Sequence, residues 1–371
     1  MDGRQAGPAL GYHTGYWSAG PPPGVAEAVA GADALGLDSV WTAEAYGSDA
    51  FTPLAWWGAA TSRVRLGTAV AQLDARTPTA TAMAAMTLDH LSGGRAVLGL
   101  GASGVQVVEG WYGRPYARPL ARTREFVAVV RQVLRREAPV QAAGDFYRLP
   151  LPEPEGSGLG RALRPTLHPL RADLPVLLAA QGPRNVALAA EIADGWLPLF
   201  VTPSSDAAVR EQLADGFARR DPRLPPPEAF EVVATLPVAL GPDVERAADR
   251  VRPSVALYAG GMGAPGANHH RAALDRLGYA DALDEVEARF RAGDRAGAAA
   301  AVPTELVREV ALVGTAADLT EQARRWRGSV ATTLALQTDP GDLPDVVAAL
   351  RRAGLGAAGP GAAGPGAGPQ M

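Results

Sequence analysis

The 371-residue sequence contains neither cysteine nor lysine. Lacking cysteine, the chain has no disulfide, no thiol nucleophile and no thiolate to hold a metal, a usage that fits a cytoplasmic protein. Lacking lysine, it carries all 35 of its basic charges on arginine. That bias, like the abundance of alanine, glycine and proline, reflects a GC-rich coding sequence more than any function. No apolar run approaches the roughly 20 residues that a membrane-spanning helix needs. Residues 1–9 are polar and contain Gly and Pro, without the basic-then-apolar pattern of a secretory signal. Nor is positive charge in surplus. The 35 basic and 39 acidic residues leave a formal charge of −4, which excludes a broad electrostatic footprint for nucleic acid.

What is present is a chain 47% hydrophobic, long enough for a large α/β domain. Its organising stretch is residues 95–104, Arg-Ala-Val-Leu-Gly-Leu-Gly-Ala-Ser-Gly. The first six residues form a short, mostly apolar run of the kind buried on both faces of a parallel sheet. Gly101-Ala102-Ser103-Gly104 then offers almost no side chain. Backbone N–H groups there can approach a ligand, and a helix beginning beyond the loop favours an anion.

Around this stretch strands and helices alternate at short spacing, the sequence sign of a parallel sheet. Strands are expected at residues 10–16, 39–44, 64–72, 95–100, 174–180, 195–200, 231–240 and 330–337. Helices are expected at 24–35, 53–61, 77–91, 122–136, 185–193, 204–219, 306–314, 316–327 and 343–353. Punctuation supports them: three prolines precede the first, Gly36 closes it, and Gly93-Gly94 stops the third. Two segments break the rhythm. Residues 139–172 hold a small hairpin at 140–149 and a Pro/Gly-rich insertion. Residues 243–302 are too long for one crossover helix and read as several, with a loop at 260–267.

Eight strands, each followed by helix, predict a (β/α)8 TIM barrel with insertions, a single domain over residues 10–353. It is flanked by a flexible stretch, 1–9, and an uncharged Gly/Ala/Pro tail, 354–371, that cannot bury a core. An open doubly wound sheet is the alternative and would need a reversal of strand order.

In a barrel, chemistry sits at the C-terminal ends of the strands. Those ends offer His13, Tyr16 and Trp17; Glu44, Tyr46 and Asp49; and Ala69, Val70 and Gln72. They also offer the loop Gly101, Ala102, Ser103 and Gly104, and the loop Ala180, Gln181, Gly182 and Pro183. The second loop opens a helix, so the two loops on neighbouring strands make an anion site. His13 is the histidine expected to face the pocket, where it either exchanges a proton with substrate near neutral pH or bonds to a neighbouring strand end. His269 and His270 point apart on a helix without a third ligand and read as surface residues, as do His90 and His168. No metal is expected. Tyr16, Trp17, Trp56 and Trp111 are candidates to line the pocket, with core packing the other reading of Trp56.

Five pieces carry a family resemblance through their order and spacing. They are Gly36-Leu37-Asp38-Ser39-Val40-Trp41, residues 64–70, residues 91–95 with 98–101, Ala179-Ala180-Gln181-Gly182-Pro183, and Ala193-Asp194-Gly195-Trp196. Over residues 10–353 the chain resembles the luciferase-like monooxygenases, in the branch that uses the deazaflavin coenzyme F420. The resemblance implies a (β/α)8 barrel with an insertion, a homodimer, and hydride transfer between F420 and a small organic substrate. An FMN-dependent monooxygenase is the alternative, and a flavin- or deazaflavin-binding protein without turnover is a second.

The resemblance also assigns roles. Ala69-Val70 matches a non-proline cis peptide that forms a bulge behind the cofactor ring. The 101–104 and 180–183 loops match those holding the ribityl chain and phosphate. Glu44 matches an acid near the ring's polar edge, and His13 lies near where pterin-reducing relatives carry a Glu. Departures count equally. Ala45 stands where the sugar-phosphate dehydrogenase branch has His, Val105–Val108 replaces the region of its Glu, and Asp49 lies near the place of its Trp. Sugar-phosphate oxidation is therefore not expected. Substrate choice falls to the segments 139–172 and 243–302.

Overall fold

A computed structural model describes residues 7–263 and 268–356. The expectations for the first six residues, for most of the C-terminal tail and for part of the 260–267 loop lie outside the described residues. Eight strands form the core sheet: β1 (Ala9–His13), β2 (Ser39–Thr42), β3 (Arg65–Thr68), β4 (Ala96–Gly101), β5 (Val176–Ala179), β6 (Gly195–Leu197), β7 (Glu231–Leu240) and β8 (Thr333–Gln337). Each pairs in parallel with the next, β6 pairs with β7, and β8 pairs with β1. The ring closes. That excludes the open doubly wound sheet, because no strand order reverses and no barrel strand is left at an edge.

Two hydrophobic layers account for the closure. Trp41, Val97, Leu177, Leu197, Val233 and Ala335 fill the interior. The opposite faces of the strands pack against the surrounding helices in the larger core. The interior is tight where strands carry glycine. A Cβ on Gly67 would stand 2.2 Å from the Trp41 ring, and one on Gly99 would stand 1.9 Å from the Thr68 carbonyl oxygen. The N-terminal end of the barrel is tied by Arg65, which bridges Asp38 at 2.7 Å and Glu231 at 2.8 Å. Local signals explain the helix ends. In the helix Pro78–Ser92, Thr77 accepts from the Ala80 N–H at 3.2 Å, Pro78 takes the first turn, and Gly93 turns left-handed to end it.

Three expectations need correction. The barrel domain reaches past 10–353 at both ends: β1 starts at Ala9, Leu355 is buried in the core, and the Gly356 N–H donates to the Pro8 carbonyl at 3.0 Å, so the flexible stretch and the tail do not keep those bounds. The strand expected over 64–72 is β3 followed by a separate two-residue strand, Ala71–Gln72, with a cis Ala69–Val70 peptide between them. The helix expected over 306–314 ends early: Thr304–Val310 is helical, but Leu312–Gly314 is a strand in register with Val238–Leu240. The cause is β7, whose ten residues outrun the barrel and leave backbone groups unpaired. Leu312 and Val313 satisfy them while burying their side chains completely.

The hairpin falls where expected, Ala142–Ala143 against Arg148–Leu149. The 243–302 segment holds helices Val244–Gly260, His269–Leu274, Ala280–Arg291 and Arg295–Ala300, which share a core of their own through Val251, Val255, Leu274, Leu283 and Val286. Among the described residues no helix is long and apolar enough to cross a membrane.

Candidate functional site

The C-terminal ends of β1 to β5 converge on the break after β3. Ala69 donates its N–H to the Thr42 carbonyl at 2.6 Å, and the Val70 carbonyl accepts from the Glu44 N–H at 3.2 Å. The cis peptide between them is thus held from the end of β2. Ala69, Val70 and Ala179 are only partly buried and cap the packed interior, giving the barrel mouth an apolar floor of small side chains. Gly101 is needed beside that floor, since a Cβ there would lie 2.5 Å from Val70 Cγ2.

The two loops singled out in the sequence lie on adjacent strands, β4 and β5, paired at Leu98–Val176, Gly99–Leu177 and Leu100–Leu178. Ser103 adopts a left-handed backbone, with φ of 58°, and Gly104 precedes a short helix, Val105–Gly110. On the β5 side, the Ala180 carbonyl accepts from Trp196 Nε1 at 3.0 Å and Gln181 Nε2 donates to the Leu199 carbonyl at 2.7 Å. Gly182, with φ of 80°, has open space where a side chain would be, and Pro183 starts the helix Pro183–Ile192. The structure therefore brings the Gly101, Ala102, Ser103 and Gly104 loop beside the Ala180, Gln181, Gly182 and Pro183 loop.

Glu44 lies at the same mouth and is buried. Its carboxylate accepts from the Gln72 N–H at 2.8 Å and from Arg76 Nη1 at 2.8–2.9 Å. Arg76 also stands over the Phe51 ring, 5.2 Å from its centroid. Gln72 returns a bond from Nε2 to the Glu44 carbonyl at 2.9 Å, which leaves its buried Oε1 with no partner. An orphaned acceptor beside an ion pair is unusual in a protein interior.

His13 ends β1 and is buried. Its Nδ1 accepts from the Gly15 N–H at 3.0 Å, and the ring also bonds the Ala69 carbonyl. Desolvation, the dominant effect, lowers its pKa to about 4, against a smaller upward pull from that carbonyl. At neutral pH the ring is uncharged, with both nitrogens turned to backbone.

Other candidates fall elsewhere. Trp56 is 78% exposed on the outer face of helix Phe51–Gly58, so it neither packs in the core nor lines the mouth, and Trp111 is also exposed. Trp17 packs on Trp57, with ring centroids 6.2 Å apart. Asp49 caps the helix that follows it, accepting from the Phe51 and Thr52 N–H groups. His269 is exposed, but His270 is not a surface residue: it packs edge-on against Tyr258 at 5.0 Å, with its Nδ1 buried. Arg76 escaped the sequence reading. Arg76 pairs with a residue 32 positions earlier, a separation that no spacing rule marks.

The floor, the two backbone-lined loops and the orphaned Gln72 acceptor fit one kind of guest. A planar heteroaromatic ring with its own N–H donors would rest on Ala69 and Val70, and its anionic tail would meet the loop amides. Fold and mouth together define the class as a (β/α)8 barrel whose mouth, at the C-terminal ends of its strands, is shaped for an organic cofactor. The chain belongs to the luciferase-like monooxygenase family, which it matches over residues 6–333.

Among its relatives, a Mycobacterium tuberculosis protein that carries the provisional name coenzyme F420-dependent oxidoreductase Rv3520c is 52% identical over 346 residues, 93% of this chain and 99% of its own. The 5,10-methylenetetrahydromethanopterin reductase of Archaeoglobus fulgidus is 29% identical over 78% of this chain and 82% of its own. The solved structure of the coenzyme F420-dependent tetrahydromethanopterin reductase from Methanopyrus kandleri superposes with a TM-score of 0.75 at 21% identity, covering 94% of this chain and 98% of that one. That likeness speaks for the fold.

Proposed function

We propose that this protein is a coenzyme F420-dependent oxidoreductase acting on a small organic substrate. The observation that carries the reading is the 52% identity that runs along 99% of a relative bearing that name. When bound, such a deazaflavin exchanges a hydride with the substrate. The chain's own residues bind and orient. Ala69 and Val70 support one ring face, leaving the other open to substrate. Gln72, held by Glu44, turns its free acceptor to the ring's polar edge, and Arg76 holds the Glu44 carboxylate in place. Gly101, Ala102, Ser103 and Gly104, with Ala180, Gln181, Gly182 and Pro183, take the ribityl chain and phosphate on backbone N–H groups. His13 supports the floor through the Ala69 carbonyl. The same proposal includes a homodimer in the cytoplasm.

The deciding experiment is a fluorescence titration of the purified protein with F420 and with FMN in parallel. Saturable binding of F420, without comparable binding of FMN, is the expected result. A preference for FMN would move the protein to the oxygen-using branch of the family, and binding of neither would overturn the cofactor assignment.

A further inference from the structure

On the outer wall of the barrel, the helices Pro119–Arg135 and Pro183–Ile192 and the chain following Asp206–Phe217 enclose a cavity of about 580 Å³. Its position separates it from the cofactor loops. Glu191 and Ile192 line it from the last turn of the helix Pro183–Ile192, whose first turn follows Gly182, and ten residues of helix span about 15 Å. Arg131, another lining residue, bonds to Asp194 at 2.7 Å. Asp194 stands just before β6 and accepts from the N–H of Val176, the first residue of β5, at 2.7 Å. The cavity therefore lies toward the N-terminal rim of the barrel, away from the mouth.

The charge of the lining runs against that of the chain. The whole sequence carries −4, yet five arginines face three carboxylates here. The carboxylates are shared. Glu191 takes Arg124 through two bonds, at 2.6 and 2.9 Å, and Arg219 lies 3.6 Å from the same group. Asp221 pairs with Arg223 at 2.8 Å; hydrogen bonds from Arg223 hold its pKa down to about 2, and Arg135 adds to the pull. Arg131 is buried, and beyond its bond to Asp194 its Nε has no partner among the described residues. Arg220 donates to the Ala193 carbonyl, one residue before Asp194, at 2.8 Å, and its buried Nη2 is likewise without a partner among them. A guanidinium offers five donors in a fixed fork, so the cluster is short of acceptor oxygens as well as of negative charge. Val127, Ala128, Ile192 and Leu224 add hydrocarbon to the lining.

We propose that this cavity binds a small organic oligophosphate, a molecule with at least two linked phosphate groups on an apolar body. Such a molecule brings several negative charges and acceptor oxygens together, and arginine forks match phosphate oxygens two at a time. A lone carboxylate would satisfy one fork and leave the rest, because the arginines stand on two separate segments of the chain. The volume admits a molecule of nucleotide size, and the hydrocarbon part of the lining takes its body. The assignment does not rest on which cofactor the mouth holds.

The test is isothermal titration calorimetry of the full-length protein, free of F420 and at fixed ionic strength. The probes are adenosine diphosphate, inorganic pyrophosphate and adenosine. The diphosphate should bind saturably at one site, pyrophosphate more weakly, and adenosine not at all. Arg135→Gln and Arg223→Gln should each weaken adenosine diphosphate by about ten-fold or more, the worth of one hydrogen bond to a charged group. Ala128 is exposed on its helix and faces the cavity, so Ala128→Trp should fill the space and abolish binding. Thermal melts that match the wild type would show that these losses come from the cavity and not from the fold. A wild type that binds no adenosine diphosphate, or binds adenosine equally well, would overturn the proposal. So would affinity unchanged in all three variants. Displacement of adenosine diphosphate from the wild type by F420 would put the probe in the mouth loops and overturn it as well.

Discussion

At the scale of single residues, two glycines on one strand separate folding from function. A Cβ on Gly99 would meet the Thr68 carbonyl oxygen at 1.9 Å, a contact with backbone that cannot move away. Gly99→Ala should therefore prevent folding, read as loss of the cooperative thermal transition. A Cβ on Gly101 would press on a side chain instead, 2.5 Å from Val70 Cγ2, with Ala179 Cβ at 3.6 Å. Gly101→Ala should fold with an overpacking cost of about 1–3 kcal/mol, while the displaced Val70 lowers F420 affinity at least ten-fold. Unchanged affinity would detach the floor from cofactor binding. His13 gives a pH prediction. Its pKa is about 6.5 unfolded and about 4 folded, so between these values the unfolded chain binds the extra proton. Stability must fall as pH drops through that window, by about 3 kcal/mol from this residue at 1.36 kcal/mol per unit. Urea unfolding at pH 7 and at pH 4.5 should show a loss that shrinks in His13→Asn, which can still accept from the Gly15 N–H without titrating. An undiminished loss would place the acid sensitivity elsewhere.

At the scale of elements, what the sequence made legible was what local chemistry determines. Short apolar runs alternating with helical segments gave the barrel strands, and prolines and glycines marked helix ends, as at Pro78 and Gly93. The small-residue loops at 101–104 and 180–183 were legible for the same reason, since glycine and proline leave few conformations to choose from. Legibility ended where a distant partner decided. Leu312–Gly314 has an apolar sequence equally suited to extending a helix, and only the exposed edge of β7, more than seventy residues earlier, makes it a strand. Glu44 was visible as an acid at a strand end, but its ion pair with Arg76 and the orphaned oxygen of Gln72 depend on how the chain breaks after β3.

At the scale of the whole molecule, the barrel buries most of its strand residues between interior and helices, so a large apolar group left on the surface calls for an explanation. Trp56, Met83 and Leu91 are 78%, 59% and 73% exposed. They lie on the helices Phe51–Gly58 and Pro78–Ser92, which are neighbours on one side of the barrel and pack against each other. Met83 and Leu91 stand eight residues apart, close to one face of their helix. Such a patch on two adjacent helices is suited to a second copy of the chain, and a two-fold axis through it would bring each residue against the same surface of the partner. The symmetry sharpens the test. One substitution enters the interface twice, so Trp56→Glu with Leu91→Glu places like charges near the axis and removes apolar area from both sides. Equilibrium sedimentation should show a wild-type dimer at micromolar concentration and a doubly substituted monomer, because like charges facing each other cost several kcal/mol. The mouth lies at the C-terminal ends of the strands, whereas these side chains point outward from the barrel wall. F420 affinity of the monomer should therefore stay within about two-fold of the wild type, under 0.5 kcal/mol. A wild-type protein that sediments as a monomer would remove the dimer from the proposal. A monomeric variant that no longer binds F420 would show instead that the pairing of copies holds the mouth in shape.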